Sequence, residues 1–152
     1  MSMELTNHEH IWLAHIFAEA NKLFPKEIAE NPSFSVHFWA AAKKRSGFNP
    51  SYSDESGHYG LFAISKAIFD EMRHRFNWSK KVSPFDPFAN IVAAVGYLRW
   101  LCDRYEQFVP DTDERVKCAF LALDAGYFRV KFALEKCLLP ATFQQVKALT
   151  SL

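Results

Sequence analysis

Arg45-Ser-Gly-Phe-Asn-Pro50 and Gly57-His-Tyr-Gly-Leu-Phe-Ala-Ile64 are the two stretches of this 152-residue chain that decide its fold. The first begins in a predicted helix that Gly47 ends, because glycine readily adopts the left-handed conformation found just after a helix. Residues 49 to 60 contain asparagine, proline, three serines, aspartate and two glycines, a composition typical of a loop. The two stretches therefore connect a helix end to a glycine-rich turn through one loop.

The rest of the chain has the pattern of helices joined by short loops. Thr6-x-x-Glu9 is a capping box, and apolar residues then recur at helical spacing as far as Pro25. Asp86-Pro87 combines an N-cap with a first-turn proline and predicts the longest helix, from Phe88 to Phe108. The predicted buried face of this helix comprises Ile91, Ala94, Val95, Leu98 and Leu101.

Further helices are predicted between these signals. They run from near Ser33 or Ser35 to Gly47, over 65–76, from Asp111 to about Gly126, over 128–138 and over 140–150, the last with Pro140 in its first turn. No strand alternation, repeat or low-complexity segment is evident in the sequence. We therefore predict one compact all-α domain of about six to eight helices over residues 1–152.

Composition excludes several functional classes. A net charge of +1, from 18 basic and 17 acidic side chains, gives no overall field that would attract nucleic acid. Cys102, Cys118 and Cys137 lie in apolar stretches and are odd in number, so we expect buried free thiols. Neither these cysteines nor the six histidines have metal-ligand spacing, and we expect no metal and no cofactor.

Three blocks, in the same order, resemble the soluble lytic transglycosylase family of the lysozyme superfamily. Ser46–Pro50 is the first, and Gly57–Ile64 is similar to the family's Gly-Ala-x-Gly-Leu-Met-Gln-Ile. The third runs from Asp86 to Arg99 and continues with Ala122-Leu-Asp-Ala-Gly126 and Arg129-Val130, which is similar to Ala-Tyr-Asn-Ala-Gly-x-x-x-Val. The resemblance is strongest over 35–135 and implies a lysozyme-like fold, a bacterial or phage origin and a role at peptidoglycan.

The chain departs from the family at polar positions. The resemblance places Arg45 where the family has its catalytic glutamate, Ala63 where it has glutamine, and Leu123 and Asp124 where it has tyrosine and asparagine. A guanidinium keeps its proton at physiological pH, so Arg45 cannot act as a general acid. No residue is assigned as catalytic. The residues expected in the glycan cleft, for binding, are Arg45, His58, Tyr59, Ala63, Leu123, Asp124 and Tyr127.

Three functions remain open at this point. The leading prediction is a catalytically inactive domain that binds a protein partner or grips peptidoglycan without cutting it. The second is an active transglycosylase whose acid is displaced to the loop, with Glu55 as candidate and Asp54 as the other nearby acid. The third is an interaction or nucleic-acid module that uses the basic runs Lys43-Lys44 and Lys80-Lys81.

Two further expectations concern Arg45 and the location of the chain. Arg45 and Asp124 are expected either to form an ion pair across the cleft, or to lie apart with Arg45 at its helix end and Asp124 in solvent. The N-terminus lacks the features of a secretory signal, and no segment has the length of a membrane span. We expect a cytoplasmic or leaderless exported protein, or a periplasmic or cell-envelope protein if a signal was removed. Oligomeric state is not predicted.

Overall fold

The computed structural model describes residues 6–137 and 141–150, and within them it confirms an all-α fold of the lysozyme-like kind. Eight α-helices lie in these ranges, with one short 3₁₀ helix and one two-stranded sheet. In chain order the elements are α1 (Asn7–Leu23), α2 (Pro25–Glu30), the 3₁₀ helix (Pro32–Ser35), α3 (Val36–Ser46), β1 (His58–Tyr59), β2 (Ile64–Ser65), α4 (Lys66–Arg75), α5 (Pro87–Tyr105), α6 (Thr112–Ala125), α7 (Tyr127–Lys136) and α8 (Phe143–Thr150). Pro140 lies outside the described residues.

The predicted helix caps are present. The Thr6 hydroxyl accepts a bond of 3.2 Å from the Glu9 amide, and the Glu9 carboxylate accepts one of 3.0 Å from the Thr6 amide. Asp86 accepts from the Ala89 amide at 3.0 Å and Asp111 from the Glu114 amide at 2.9 Å. These bonds satisfy amides that have no partner inside the helix, which is why such residues mark helix starts so reliably.

The chain divides into two units, one ending at Tyr97 and the other beginning at Leu98. In the first unit, α1 buries Ile16, Ala20 and Phe24, which lie one helical turn apart. The Phe24 ring packs 5.5 Å from that of Phe34 and 5.1 Å from that of Phe38, measured between centroids. Ile11 belongs to the apolar repeat of α1 but is 47% exposed, so the buried stripe begins one turn further along the helix.

Two local elements differ from the prediction. The sequence pattern does not predict helix α2, because Pro25 is a stop signal for α1, whereas it is also the first residue of a new six-residue helix. The segment predicted as loop contains β1, which pairs antiparallel with β2 through His58 opposite Ser65 and Tyr59 opposite Ile64. The sequence shows no alternation here because a two-residue strand is too short to display it, and the fold class remains all-α.

The turn between β1 and β2 is fixed by the side chain of Asn90, which is fully buried. Its oxygen accepts from the Phe62 amide at 2.7 Å, and its nitrogen donates to the carbonyl oxygens of Tyr59 at 3.1 Å and Pro84 at 3.0 Å. Gly60 lies directly against it, so that a Cβ at residue 60 would overlap Asn90 Nδ2 and the Pro84 carbonyl oxygen. Only glycine fits at this position.

The second unit has its own core, formed by α6, α7 and α8. Its buried apolar side chains include Val116, Ala119, Ala122, Val130, Leu134 and Val146. Arg115 is buried but donates to the Val109 carbonyl at 2.8 Å and the Pro110 carbonyl at 2.9 Å, so its charge is hydrogen-bonded.

All five residues of the predicted buried face of α5 are buried, although the helix ends at Tyr105 instead of Phe108.

Cys102, Cys118 and Cys137 are free thiols. Burial raises the pKa of the Cys118 thiol to about 12. Cys137 is half-buried, so the expectation of burial was wrong for this cysteine, which lies just after the last residue of α7. Among the described residues, no helix is both long and apolar enough to span a membrane.

Gly57 and Gly60 have nearly the same backbone angle φ, so a substitution at each distinguishes the cost of backbone strain from the cost of steric overlap. Gly57 has φ +82° with open space where a Cβ would lie, while Gly60 has φ +81° and the contacts described above. We expect Gly57→Ala to lower the free energy of unfolding by about 1 kcal/mol through backbone strain. We expect Gly60→Ala to lower it by about 3 kcal/mol or more, because the methyl group also displaces Asn90. Urea unfolding of both variants measures the difference; equal losses would contradict a tight Gly60–Asn90 contact.

Candidate functional site

The side chain of Arg45 leaves the end of α3 and reaches the turn between β1 and β2. Its Nε donates to the Phe62 carbonyl at 2.7 Å, and its Nη2 donates to the Ala63 carbonyl at 2.7 Å. The neighbouring Ser46 hydroxyl donates a short bond to the Leu61 carbonyl. Three consecutive carbonyl groups of the turn are thus held by side chains of α3. Both of these bonds reach outside α3, to the turn between β1 and β2.

Ala63 is the residue of this turn with a strained backbone. It has φ +48°, in the left-handed region that residues with a Cβ seldom adopt, and its side chain is only 3% exposed. Such a conformation persists when the surroundings fix it on several sides. Here the Arg45 guanidinium binds the carbonyl oxygen of Ala63. The Ala63 amide donates to the Gly60 carbonyl at 2.9 Å. Phe62 is fully buried.

A second cluster joins Tyr52, Asp54 and His58 in the loop before the turn. The Asp54 carboxylate accepts from the His58 amide at 3.0 Å and from the Tyr52 hydroxyl at 3.1 Å, and it lies 3.2 Å from His58 Nδ1. The bond from the His58 amide is the main cause of a lowered pKa for Asp54. The same cluster raises the pKa of Tyr52, chiefly through its bond to Asp54. Sequence reasoning missed this link, although Asp-x-x-x-His spacing was visible.

Glu55 lies between Asp54 and His58 in the sequence, and Tyr59 directly follows His58. Glu55 is exposed, in the tight turn that the bond from the Gly57 amide to the Asp54 carbonyl closes at 3.2 Å. Tyr59 is half-buried, its ring 5.7 Å from that of Phe85 in an edge-to-face arrangement. The first unit therefore brings Arg45, His58, Tyr59 and Ala63 to one turn and its adjoining loop.

The remaining predicted site residues belong to the second unit. Leu123 is buried, with 4% exposure, while Asp124 at the end of α6 is exposed. Tyr127 begins α7 and is half-buried; its ring stacks on that of Tyr105 at 5.8 Å and lies 4.8 Å from that of Trp100. The Tyr105 hydroxyl donates to the Tyr127 carbonyl at 3.0 Å. The ion pair between Arg45 and Asp124 stays a prediction.

Metal ligation finds no support in the part of the chain that the structure describes. Within residues 6–137 and 141–150, no three histidine, cysteine, aspartate or glutamate side chains are grouped so that they could hold an ion. Arg45 brings hydrogen-bond donors and a fixed positive charge to the turn. Such a surface can bind polar ligands, and the Arg45 guanidinium does not release a proton at physiological pH.

Replacement of Arg45 tests its hold on the turn. We expect Arg45→Met to lower the free energy of unfolding by about 2 kcal/mol, because two carbonyl groups lose a charged donor. Arg45→Glu is expected to cost more, since a carboxylate would face the same carbonyl oxygens. Lys44→Met is the matched control on the exposed side of α3 and is expected to change stability by about 0.5 kcal/mol at most. Equal effects at 44 and 45 in chemical unfolding would contradict this role.

The Asp54 cluster predicts a pH dependence at acid pH. Because the folded state lowers the pKa of Asp54 below its ordinary value of 3.8, its contribution to stability is complete above that value. It is lost as the pH falls through the lowered pKa. An NMR titration should find most of the lowering retained in His58→Ala, since the main donor is the backbone amide. A return of the Asp54 pKa to its ordinary value in that variant would assign the effect to the imidazole instead.

Comparison with known proteins identifies the family of the chain. The sequence profile described as "Transglycosylase SLT domain" matches residues 25–137, which is most of the chain. No curated protein was found to match the chain. The matched range contains α2 to α7 and therefore both the turn held by Arg45 and the α6–α7 segment. The predicted resemblance to lytic transglycosylases is thus confirmed, and the chain belongs to the transglycosylase SLT domain family.

Proposed function

We propose that this SLT domain binds peptidoglycan without cleaving its glycan strands. The observation that carries the proposal is the contact of the Arg45 guanidinium with the carbonyl oxygens of Phe62 and Ala63. Cleavage of a glycosidic bond needs a carboxylic acid that gives its proton to the leaving oxygen. The motif resemblance puts Arg45 at the position of that acid, and there its side chain braces the turn.

A permanent cation at this position also opposes the reaction electrostatically. The transition state of glycoside cleavage has oxocarbenium character and therefore develops positive charge on the sugar. A guanidinium beside it would raise the barrier, whereas a carboxylate would lower it. Loss of the general acid alone typically costs about 10²–10⁴-fold in rate. Both effects support the proposal that the domain keeps the fold of the family but does not catalyse glycan cleavage.

The two acids of the loop are weak substitutes. Asp54 has a lowered pKa, so at neutral pH it is ionised and has no proton to donate. Glu55 is exposed in the turn after Asp54, where water solvates its carboxylate. An active enzyme with Glu55 as the displaced acid is the second candidate, because Glu55 lies in the same loop as His58.

Binding is the activity that the remaining surface can supply. His58 and Tyr59 are half-buried in the first unit, as is Tyr127 in the second, and such side chains combine apolar area with a polar group. Family membership suggests the sugar polymer of peptidoglycan as ligand. This proposal requires the chain to reach the cell envelope. A protein partner is the other binding mode within it.

Digestion of purified peptidoglycan tests the proposal. We expect no anhydromuropeptides by mass spectrometry from the unmodified chain, and we expect the chain to sediment with insoluble peptidoglycan. Arg45→Glu and Lys44→Glu are run alongside as matched charge reversals, with folding checked by circular dichroism. Because Arg45→Glu also disturbs the turn, the digestion and sedimentation of this variant are calculated from its folded fraction before they are compared with those of the unmodified chain.

The outcomes separate the two candidate functions. Anhydromuropeptides from the unmodified chain would contradict an inactive domain, and their loss in Glu55→Gln would identify the displaced acid. Unchanged turnover in Glu55→Gln would remove Glu55 as that acid. Failure to sediment with peptidoglycan would overturn the glycan-binding part and leave a protein partner as the ligand.

A further inference from the structure

Helix α7 exposes two phenylalanine side chains on one side. Phe128 is 76% exposed and Phe132 is 59% exposed, the highest values among the exposed large apolar side chains of the described residues. They lie four residues apart, so they are neighbours along the helix surface. The opposite side of α7 is buried through Val130, Ala133 and Leu134. Two rings that the core of the unit does not use are therefore presented together to the surroundings.

Positive charges lie on both sides of these rings. Successive helix residues turn by about 100°, which puts Arg129 and Lys136 on one flank of the phenylalanine pair and Lys131 on the other. The Lys136 ammonium lies 4.1 Å from the centre of the Phe132 ring. The one acid of α7, Glu135, is 3.9 Å from Lys131 Nζ. Three cations and one carboxylate give the helix a formal charge of +2, against +1 for the whole chain.

The aromatic surface continues beyond α7 within the same unit. The Phe128 ring lies 5.0 Å from that of Tyr127, which lies 4.8 Å from that of Trp100. The Arg104 guanidinium stacks over Trp100 at 4.9 Å from the ring centre. Three aromatic rings thus follow one another from Phe128 to Trp100, with the Arg104 cation at the end of the line. We define the α7 surface as Phe128, Arg129, Lys131, Phe132 and Lys136.

We propose that the α7 surface docks the protein onto an anionic phospholipid bilayer. Apolar rings with basic side chains on both flanks match the layered chemistry of such a bilayer, whose acyl region lies just below its phosphate groups. Phe128 and Phe132 insert between the headgroups, while Arg129 and Lys136 contact the phosphates; Lys131 on the other flank is paired with Glu135. Insertion is shallow and parallel to the surface, because the other side of α7 remains packed in the core of its unit.

A membrane fits this surface better than a protein does. A stable protein interface typically covers roughly 800 Å² on each partner and places its aromatic anchors in pockets. The α7 surface is one side of a ten-residue helix, whose rings protrude instead of forming a groove. A planar anionic surface meets both rings and the flanking cations at once. Membrane docking of this kind needs only a few inserted side chains when electrostatic attraction assists them.

Vesicle flotation tests the proposal with the full chain. Vesicles of equal parts phosphatidylcholine and phosphatidylglycerol are compared with vesicles of pure phosphatidylcholine. We expect binding to the anionic vesicles and a loss of binding as the salt concentration rises. Phe128→Ser/Phe132→Ser is expected to weaken partitioning by about tenfold or more, since two apolar groups no longer insert. Arg129→Gln/Lys136→Gln is expected to weaken it by about fivefold for each cation removed.

The control variant is Ile11→Ser/Val36→Ser, which removes two exposed apolar side chains elsewhere, at 47% and 48% exposure. It is expected to bind vesicles as the unmodified chain does, and thermal unfolding checks that every variant is folded. No binding of the unmodified chain to anionic vesicles would overturn the proposal and leave the α7 surface to a protein partner. Equal losses in the control and the phenylalanine variant would overturn it as well. Neither result depends on whether the domain binds or cleaves peptidoglycan.

Discussion

The hydrogen bonds of the buried Asn90 amide are the interaction on which the site depends. One side chain of α5 satisfies the Phe62 amide and the carbonyl groups of Tyr59 and Pro84, and thereby fixes the turn between β1 and β2. This is possible only because Gly60 has no Cβ. A buried amide that lost one of these partners would leave polar groups unpaired in the interior, which is costly. The turn is therefore held as a rigid unit against the start of α5.

Arg45 and Ser46 complete this hold from the end of α3. Their donors bind three successive carbonyl groups, and Arg45 thereby supports the left-handed backbone of Ala63. The residue that the motif resemblance puts at the family's acid position is thus part of the structure of the turn. Restoration of a glutamate would remove two donors and add a negative charge beside carbonyl oxygens. We therefore expect that Arg45→Glu alone disturbs the turn between β1 and β2 and does not restore a working acid.

Local charge patterns differ from the chain average in this protein. The near-neutral total suggests no preference for anionic partners, and the obvious basic runs, at 43–45 and 80–81, lie outside α7. On α7 the cations are separated from one another along the sequence by other residues, so they form no run. They come together because helical spacing puts residues 128, 129, 131, 132 and 136 on the outward side. Their side chains lie on the side of α7 opposite to the one that packs against α6 and α8.

The sequence by itself determined the family, the starts of the capped helices and the buried face of α5. Caps such as Thr6, Asp86 and Asp111 act on amides three residues away, and periodic apolar residues report burial directly, so local pattern suffices for both. Only the tertiary structure decided the partners of Arg45, the threefold role of Asn90 and which aromatic residues stay exposed. Those features join residues far apart in the chain, as Arg45 and Phe62 or Asn90 and Tyr59 are. A hydrogen bond between such residues depends on how helices pack, and short-range pattern carries no record of that packing.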